Sequence, residues 1–170
     1  MSFSGNVKDE LAGHLGGARH CHIAELAAIL QFCGKIVRKE TGETVLCIET
    51  ENESVSKKCF TLLRKTFNIE ATVWKSDEKC QKKLEHSTIE ISNPDVVWTI
   101  FQALKMVGDN GVFYGFDEPV NPVLIKNACC RRSYLRGAYL CVGSMSDPAK
   151  GYHLELVTGD RKSTRPNSSH

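Results

Sequence analysis

The residues of this 170-residue chain best suited to chemistry are its eight cysteines, its six histidines and one small cluster of arginines. His20, Cys21 and His22 are consecutive, and Cys129 and Cys130 are adjacent. Thiolate and imidazole are the ligands of structural zinc, but a zinc motif spaces its ligand pairs along the chain. Helical neighbours diverge by about 100°, so residues 20–22 read as a helix start and not as a metal pair. Cys129-Cys130 has no second spaced pair to complete a ligand set, so neither a metal site nor a cofactor is expected. No cysteines are spaced Cys-x-x-Cys and the N-terminus lacks the pattern of a signal peptide. The thiols are therefore expected to be reduced and packed as small apolar groups. Neither a phosphate-binding glycine loop nor a Ser/His/Asp set stands out. Lys126, Arg131, Arg132 and Arg136 remain as candidate nucleic-acid contacts, because they cluster at the start of a helical stretch whose positive end also favours phosphate. The competing reading of these four is a solvated face with acidic partners.

The element that carries this cluster is residues 127–148, NACCRRSYLRGAYLCVGSMSDP. Its core, residues 135–143, has a fainter twin at residues 26–34: both begin with Leu, hold small residues near the start and close on Gly. Small residues let two helix backbones approach closely. Ala27, Ala28 and Gly34 are thus predicted to meet Gly137, Ala138 and Gly143 along a helix–helix seam, with each closing glycine in the left-handed conformation that commonly ends a helix.

Around this pair the patterns predict a short helix capped by Ser4, with a Val7-Leu11-Leu15 stripe and a stop at Gly16-Gly17. An axial helix over 21–33 leads to a hairpin of 35–40 with 44–50. A helix over 54–67 follows, with Cys59, Leu63 and Phe67 on one face and Lys57, Lys58, Arg64 and Lys65 elsewhere. A second hairpin pairs 69–75 with 87–92 across a loop holding Lys79, Lys82 and Lys83. Asn93 and Pro94 open a helix that runs to Met106 and ends at Gly108. Phe113, Tyr114 and Phe116 sit in a linker over 108–126, and a strand over 152–158 follows the second axial helix. Strand alternation directs Leu46, Ile48, Ile69, Ala71, Val73, Ile89 and Ile91 inward. It leaves Val45, Cys47, Glu49, Glu70, Thr72, Trp74, Thr88 and Glu90 on the other face, where the glutamates oppose phosphate binding.

The chain resembles the WhiA-type bacterial regulators, whose N-terminal portion carries a degenerate LAGLIDADG homing-endonuclease fold. The resemblance rests on residues 1–4 with 7–11, on Ala18-Arg19-His20-Cys21, on residues 129–138 and on residues 143–148, and it runs to about Thr158. It implies an α+β class: a 1–20 helical extension, an αββαββα half-unit over 21–107, the linker, and a second half begun over 127–159 and cut short. In LAGLIDADG nucleases the eighth motif residue is an acid that holds the cleaving metals. Here that position is Cys33 in one helix and Val142 in the other, and neither suits a hard cation. Asp147 lies beyond the second helix end. The resemblance therefore implies no enzyme, but a recognition scaffold linked to sporulation and cell division, cytoplasmic and associated with the nucleoid. It would bind DNA mainly through a C-terminal helix-turn-helix outside these residues. A protein-interaction module contacting the transcription machinery, and an active nuclease or RNA-splicing maturase, are the alternatives.

A hydrophobic content of 41% suffices for a core, and no apolar run reaches membrane-spanning length, so no membrane or small-molecule partner is expected. Residues 160–170 read as the translation of a sequencing adapter. Setting aside its Arg161, Lys162, Arg165 and Asp160 leaves 19 basic and 19 acidic residues, so any attraction to a polyanion must be local. A second half cut short leaves apolar surface on its helix, so the chain is expected to bind hydrophobic dye.

Overall fold

In the computed structural model, which describes residues 3–69, 72–76, 86–145, 149, 151 and 153–156, two fifteen-residue helices form the axis. They are α2 (Arg19–Cys33) and α5 (Ala128–Val142). Each passes without a loop into a strand, α2 into β1 (Gly34–Arg38) and α5 into β5 (Gly143–Met145). The junction glycines are not left-handed as expected: Gly34 has φ −83° and ψ 149°, Gly143 φ −79° and ψ 151°. Any residue can adopt those angles, so the reason for glycine is steric. A Cβ at Gly34 would lie 2.5 Å from the Leu30 carbonyl oxygen, and one at Gly143 would overlap the Tyr139 ring.

The first half-unit follows the expected order. β1 turns through Gly42, at φ +88°, into β2 (Thr44–Thr50). α3 (Glu53–Phe67) starts where the Asn52 side chain accepts from the Ser54 and Val55 amides, and it stops at a left-handed Asn68. β3 (Thr72–Ser76) and β4 (His86–Ile91) precede α4 (Pro94–Ala103), which Asn93 caps. The sheet is antiparallel in the order β1-β2-β4-β3. α2, α3 and α4 cover one face and bury Leu26, Ile29, Leu30, Leu62, Leu63 and Ile100 against Leu46, Ile48 and Ile89. Each such side chain contributes about 1.5–3 kcal/mol on leaving water.

Several local expectations are corrected. α4 ends at Ala103 and not at Met106, because Lys105 turns left-handed at φ 55°. The first helix, α1 (Phe3–Ala12), contains Ser4 instead of being capped by it, and Leu15 lies beyond its end. Ser4 instead docks α1 on β5: its hydroxyl donates to the Met145 carbonyl at 2.7 Å and accepts from the Met145 amide at 2.6 Å. Val45 and Cys47 are buried despite pointing away from the core, because β2 is an inner strand flanked on both sides. The linker packs as well: Phe113 stacks on Phe101 at 4.2 Å and meets Phe116 edge-on at 5.1 Å. A 3-10 turn, Pro122–Ile125, then leads into α5.

Among the described residues the second half holds two short strands where one was expected. β6 (Leu154–Leu156) pairs antiparallel with β5, Gly143 opposite Leu156, so α5-β5-β6 repeats the order α2-β1-β2. Among the described residues no helix is long and apolar enough to cross a membrane. The lysine-rich loop, Glu70, Ala71, the side chains of Val73 and Trp74, Asp147 and residues 160–170 lie outside the described residues.

Candidate functional site: the helix seam and its two ends

α2 and α5 run parallel. A Cβ added at Gly137 would lie 3.0 Å from the Ala28 Cβ and 2.6 Å from the Glu25 carbonyl oxygen. Ala28 and Gly137 hold the same position in their two nine-residue motifs, so the contact sits on the pseudo-symmetry axis. Ala24 and Ser133, also equivalent, are both buried. Tyr134 donates its hydroxyl to the Gln31 side chain across the seam. Ala27 is buried in the main core, and Ala138 is buried as well. Gly34 and Gly143 serve the helix–strand junctions.

At the C-terminal end of the seam a cleft of about 550 Å³ is lined by Lys8, Cys33, Glu49, Glu51, Cys141 and Val142, among others. This is where the axial helices end, and what they contribute is thiols and an isopropyl group. Cys141 is held protonated well above the ordinary thiol range by its hydrogen bond with Cys33 and by burial. Burial raises Cys59 strongly as well. A protonated thiol does not ligate, and a hard divalent cation prefers oxygen. Of the carboxylates at the cleft, Glu49 pairs with Lys35 at 2.7 Å.

Midway along the seam sits a buried ionic group that the sequence pattern did not reveal. Glu25, 1% exposed in the middle of α2, pairs with Lys58 of α3 at 2.5 Å and with Arg136 of α5 at 3.2 Å. Lys58 also donates to the Leu11 carbonyl at the end of α1, at 3.1 Å. Burial lowers the Lys58 pKa, and Glu25 opposes that. The helical pattern had set Lys58 away from the core face; three neighbouring elements enclose it instead. The one signal in the sequence is Glu25 itself, a lone acid within the apolar run of residues 23–30.

The four basic candidates therefore separate. Arg136 is committed to Glu25. Arg131 donates to the Ile125 and Lys126 carbonyls at 3.2 and 2.8 Å, closing the turn that enters α5. Lys126 and Arg132 face solvent. On the outer sheet face, Glu49 pairs with Lys35, and Glu90 pairs with Lys39 at 2.6 Å, so these two acids are neutralised locally.

At the N-terminal end of the seam, His20, Cys21, Cys129 and Cys130 bring their ligand atoms within 4.8 Å of one another. His20 Nδ1 lies 3.0 Å from Cys130 Sγ, 3.5 Å from Cys21 Sγ and 3.9 Å from Cys129 Sγ. His22 points elsewhere, its Nε2 against the Gly16 carbonyl. The divergence of helical neighbours, which argued against convergence within one helix, does not prevent it between two. Residues about 100° apart straddle the contact line, and each helix offers one such pair. The signal was present in the sequence: each pair stands five and six residues before its motif leucine, Leu26 or Leu135.

Parallel small-residue helices that run directly into antiparallel strands, the half-unit repeated about their seam, define a LAGLIDADG-like protein whose axial helices end without acids. The family model for the WhiA N-terminal LAGLIDADG-like domain matches residues 19–107, and that for the WhiA LAGLIDADG-like domain matches residues 131–165. The chain belongs to the WhiA family. It is 38% identical to a probable cell division protein WhiA of Lachnoclostridium phytofermentans, covering 94% of this chain and 51% of that protein. To the protein of that name in Desulforudis audaxviator it is also 38% identical, over 95% of this chain and 50% of the relative. The chain thus spans about half the length of the curated relatives it matches. The crystal structure of full-length WhiA from Thermatoga maritima superposes with a TM-score of 0.60 at 19% identity, covering 92% of this chain and 44% of that one. An N-terminal LAGLIDADG domain of WhiA gives 0.61 at 18% identity, over 95% and 69%.

Proposed function

We propose that these residues are the scaffold of a DNA-binding transcription regulator, a LAGLIDADG-like unit that serves recognition and does not cleave. The observation that carries this reading is the C-terminal end of the seam, where Cys33 and Val142 stand at the positions that cleavage requires to be acidic. The family's relatives are named as cell division proteins, and control of division and sporulation genes at the nucleoid is the role this reading gives the whole protein. The helix-turn-helix that the resemblance implies is assigned to the half of the relatives' length outside the match. Lys126 and Arg132, exposed beside the turn that Arg131 closes, are the phosphate contacts assigned to this portion.

Two measurements test the proposal. Supercoiled DNA incubated with the chain and magnesium should remain unnicked; magnesium-dependent nicking would overturn the non-catalytic reading. In a fluorescence-anisotropy titration against duplex DNA, K126E/R132E should weaken binding and flatten the dependence of log K on log salt by about 2, one for each phosphate no longer neutralised. An unchanged slope would remove these residues from the interface. A second reading, a protein-interaction module, is favoured by the paired charges of the outer sheet, Lys35 with Glu49 and Lys39 with Glu90. A partner retained in pull-downs after nuclease treatment would support it.

A further inference from the structure

The His20, Cys21, Cys129, Cys130 cluster lies at the end of the seam opposite the place where a LAGLIDADG nuclease holds its metals, and nothing in the proposed function uses it. Four ligand atoms of these types suit one kind of ion. Three sulfurs and an imidazole nitrogen form the Cys3His set of closed structural zinc sites, and soft thiolates select against magnesium and calcium. The geometry can be checked against the ion's bond lengths. With Zn–S near 2.3 Å and Zn–N near 2.0–2.1 Å, a tetrahedron requires nitrogen–sulfur edges of about 3.5 Å and sulfur–sulfur edges of about 3.8 Å. The three nitrogen–sulfur distances here are 3.0, 3.5 and 3.9 Å, bracketing the required edge. The outer limit of 4.8 Å within the cluster leaves about 1 Å for the sulfurs to close. Cys21 and Cys130 are buried, and Cys129 is half-buried, while His20 is exposed and leaves a path for the ion to enter.

We propose that His20, Cys21, Cys129 and Cys130 bind one zinc ion that fastens the N-terminal ends of α2 and α5 together. Binding displaces the three thiol protons to solvent, so Zn²⁺ with three thiolates and a neutral imidazole carries a net charge of −1. Two helix N-termini face that charge with their positive ends. All four positions are filled by protein, so the site is structural, with no open coordination place for a substrate. Its consequence for the fold is specific. The linker joins the two halves covalently at residues 108–126, and the zinc would tie them a second time at the start of both axial helices, fixing their register.

The test uses the whole 170-residue chain purified under reducing conditions. Elemental analysis should find one zinc per chain, and chelation should lower the melting temperature until zinc is restored. Cobalt in its place should give the intense visible bands of a tetrahedral ion together with thiolate-to-cobalt charge transfer. C130A should lower zinc affinity by more than the roughly 10–100-fold that loss of an outer-shell partner already costs. Because C130A could simply misfold, H20C is the second variant: a four-thiolate site should still bind stoichiometrically, with stronger charge transfer. C33A, at the far end of the seam, should change none of these readings. A weak octahedral cobalt spectrum, a response of C33A equal to that of C130A, or a disulfide between Cys21 and Cys129 or Cys130 in reduced, zinc-supplied protein would each overturn the proposal.

Discussion

Glu25 shows how one side chain can couple four elements. It places a carboxylate in the middle of α2, and Lys58, Arg136 and through Lys58 the end of α1 gather on it. Removing the acid leaves an ammonium with a fully buried side chain. E25A should therefore cost about 3–5 kcal/mol in a denaturant melt; a loss under about 1 kcal/mol would mean that water reaches Lys58 in the native state. Replacing the acid and both bases by apolar residues of similar size should recover much of that loss, since a buried ion group adds little over good packing. The thiols give a pH dependence with a definite sign. Cys59 and Cys141 are raised in the folded chain, so above roughly pH 8.5 the unfolded thiols ionise while the native ones keep their protons. The unfolded state then binds fewer protons, and stability present at neutral pH is lost as pH rises. Melts of the reduced chain should show this decline, and C59A should make it shallower; a melting temperature that rises with pH above 9 would contradict the assignment.

At the scale of elements the seam is the sensitive feature. A methyl group at Gly137 meets a backbone carbonyl at 2.6 Å, and α2 cannot yield there without disturbing its own hydrogen-bond ladder. G137A should cost about 1–3 kcal/mol, the usual range for overpacking, whereas the same change at Gly17, where a Cβ meets nothing within 4 Å, should cost well under that. Equal effects at the two positions would mean that the helices do not touch at Gly137. How much of this was legible in the sequence follows from where each signal resides. The order of helices and hairpins, the cap at Asn93 and the contact of Ala28 with Gly137 are carried by periodicity and by residue size, both local properties. The role of Gly34 and Gly143 was misjudged because composition marks a helix end without stating its angles. The burial of Lys58, the diversion of Arg136 to Glu25 and the meeting of His20 with Cys130 depend on which helix faces which. Pattern within a single helix does not contain that information.

At the scale of the whole molecule, the two halves differ in how completely they cover their apolar residues. The first half closes its core between a four-stranded sheet and three helices. Among the described residues the second sets a two-stranded ribbon beside α5 and leaves Leu135 57% exposed, Leu154 64% and Leu156 47%. Two strands are too few to hold a face on their own, and exposed leucines grouped in one half are the kind of surface that attracts dye or other chains. The chain should therefore bind a hydrophobic dye under native conditions while its first half stays folded. L154S/L156S should lower the dye signal without shifting the main thermal transition, because neither leucine belongs to the first core. If the signal were unchanged, or if the chain melted as a sharply cooperative monomer with no dye bound, the leucines of β6 would have to be covered in solution.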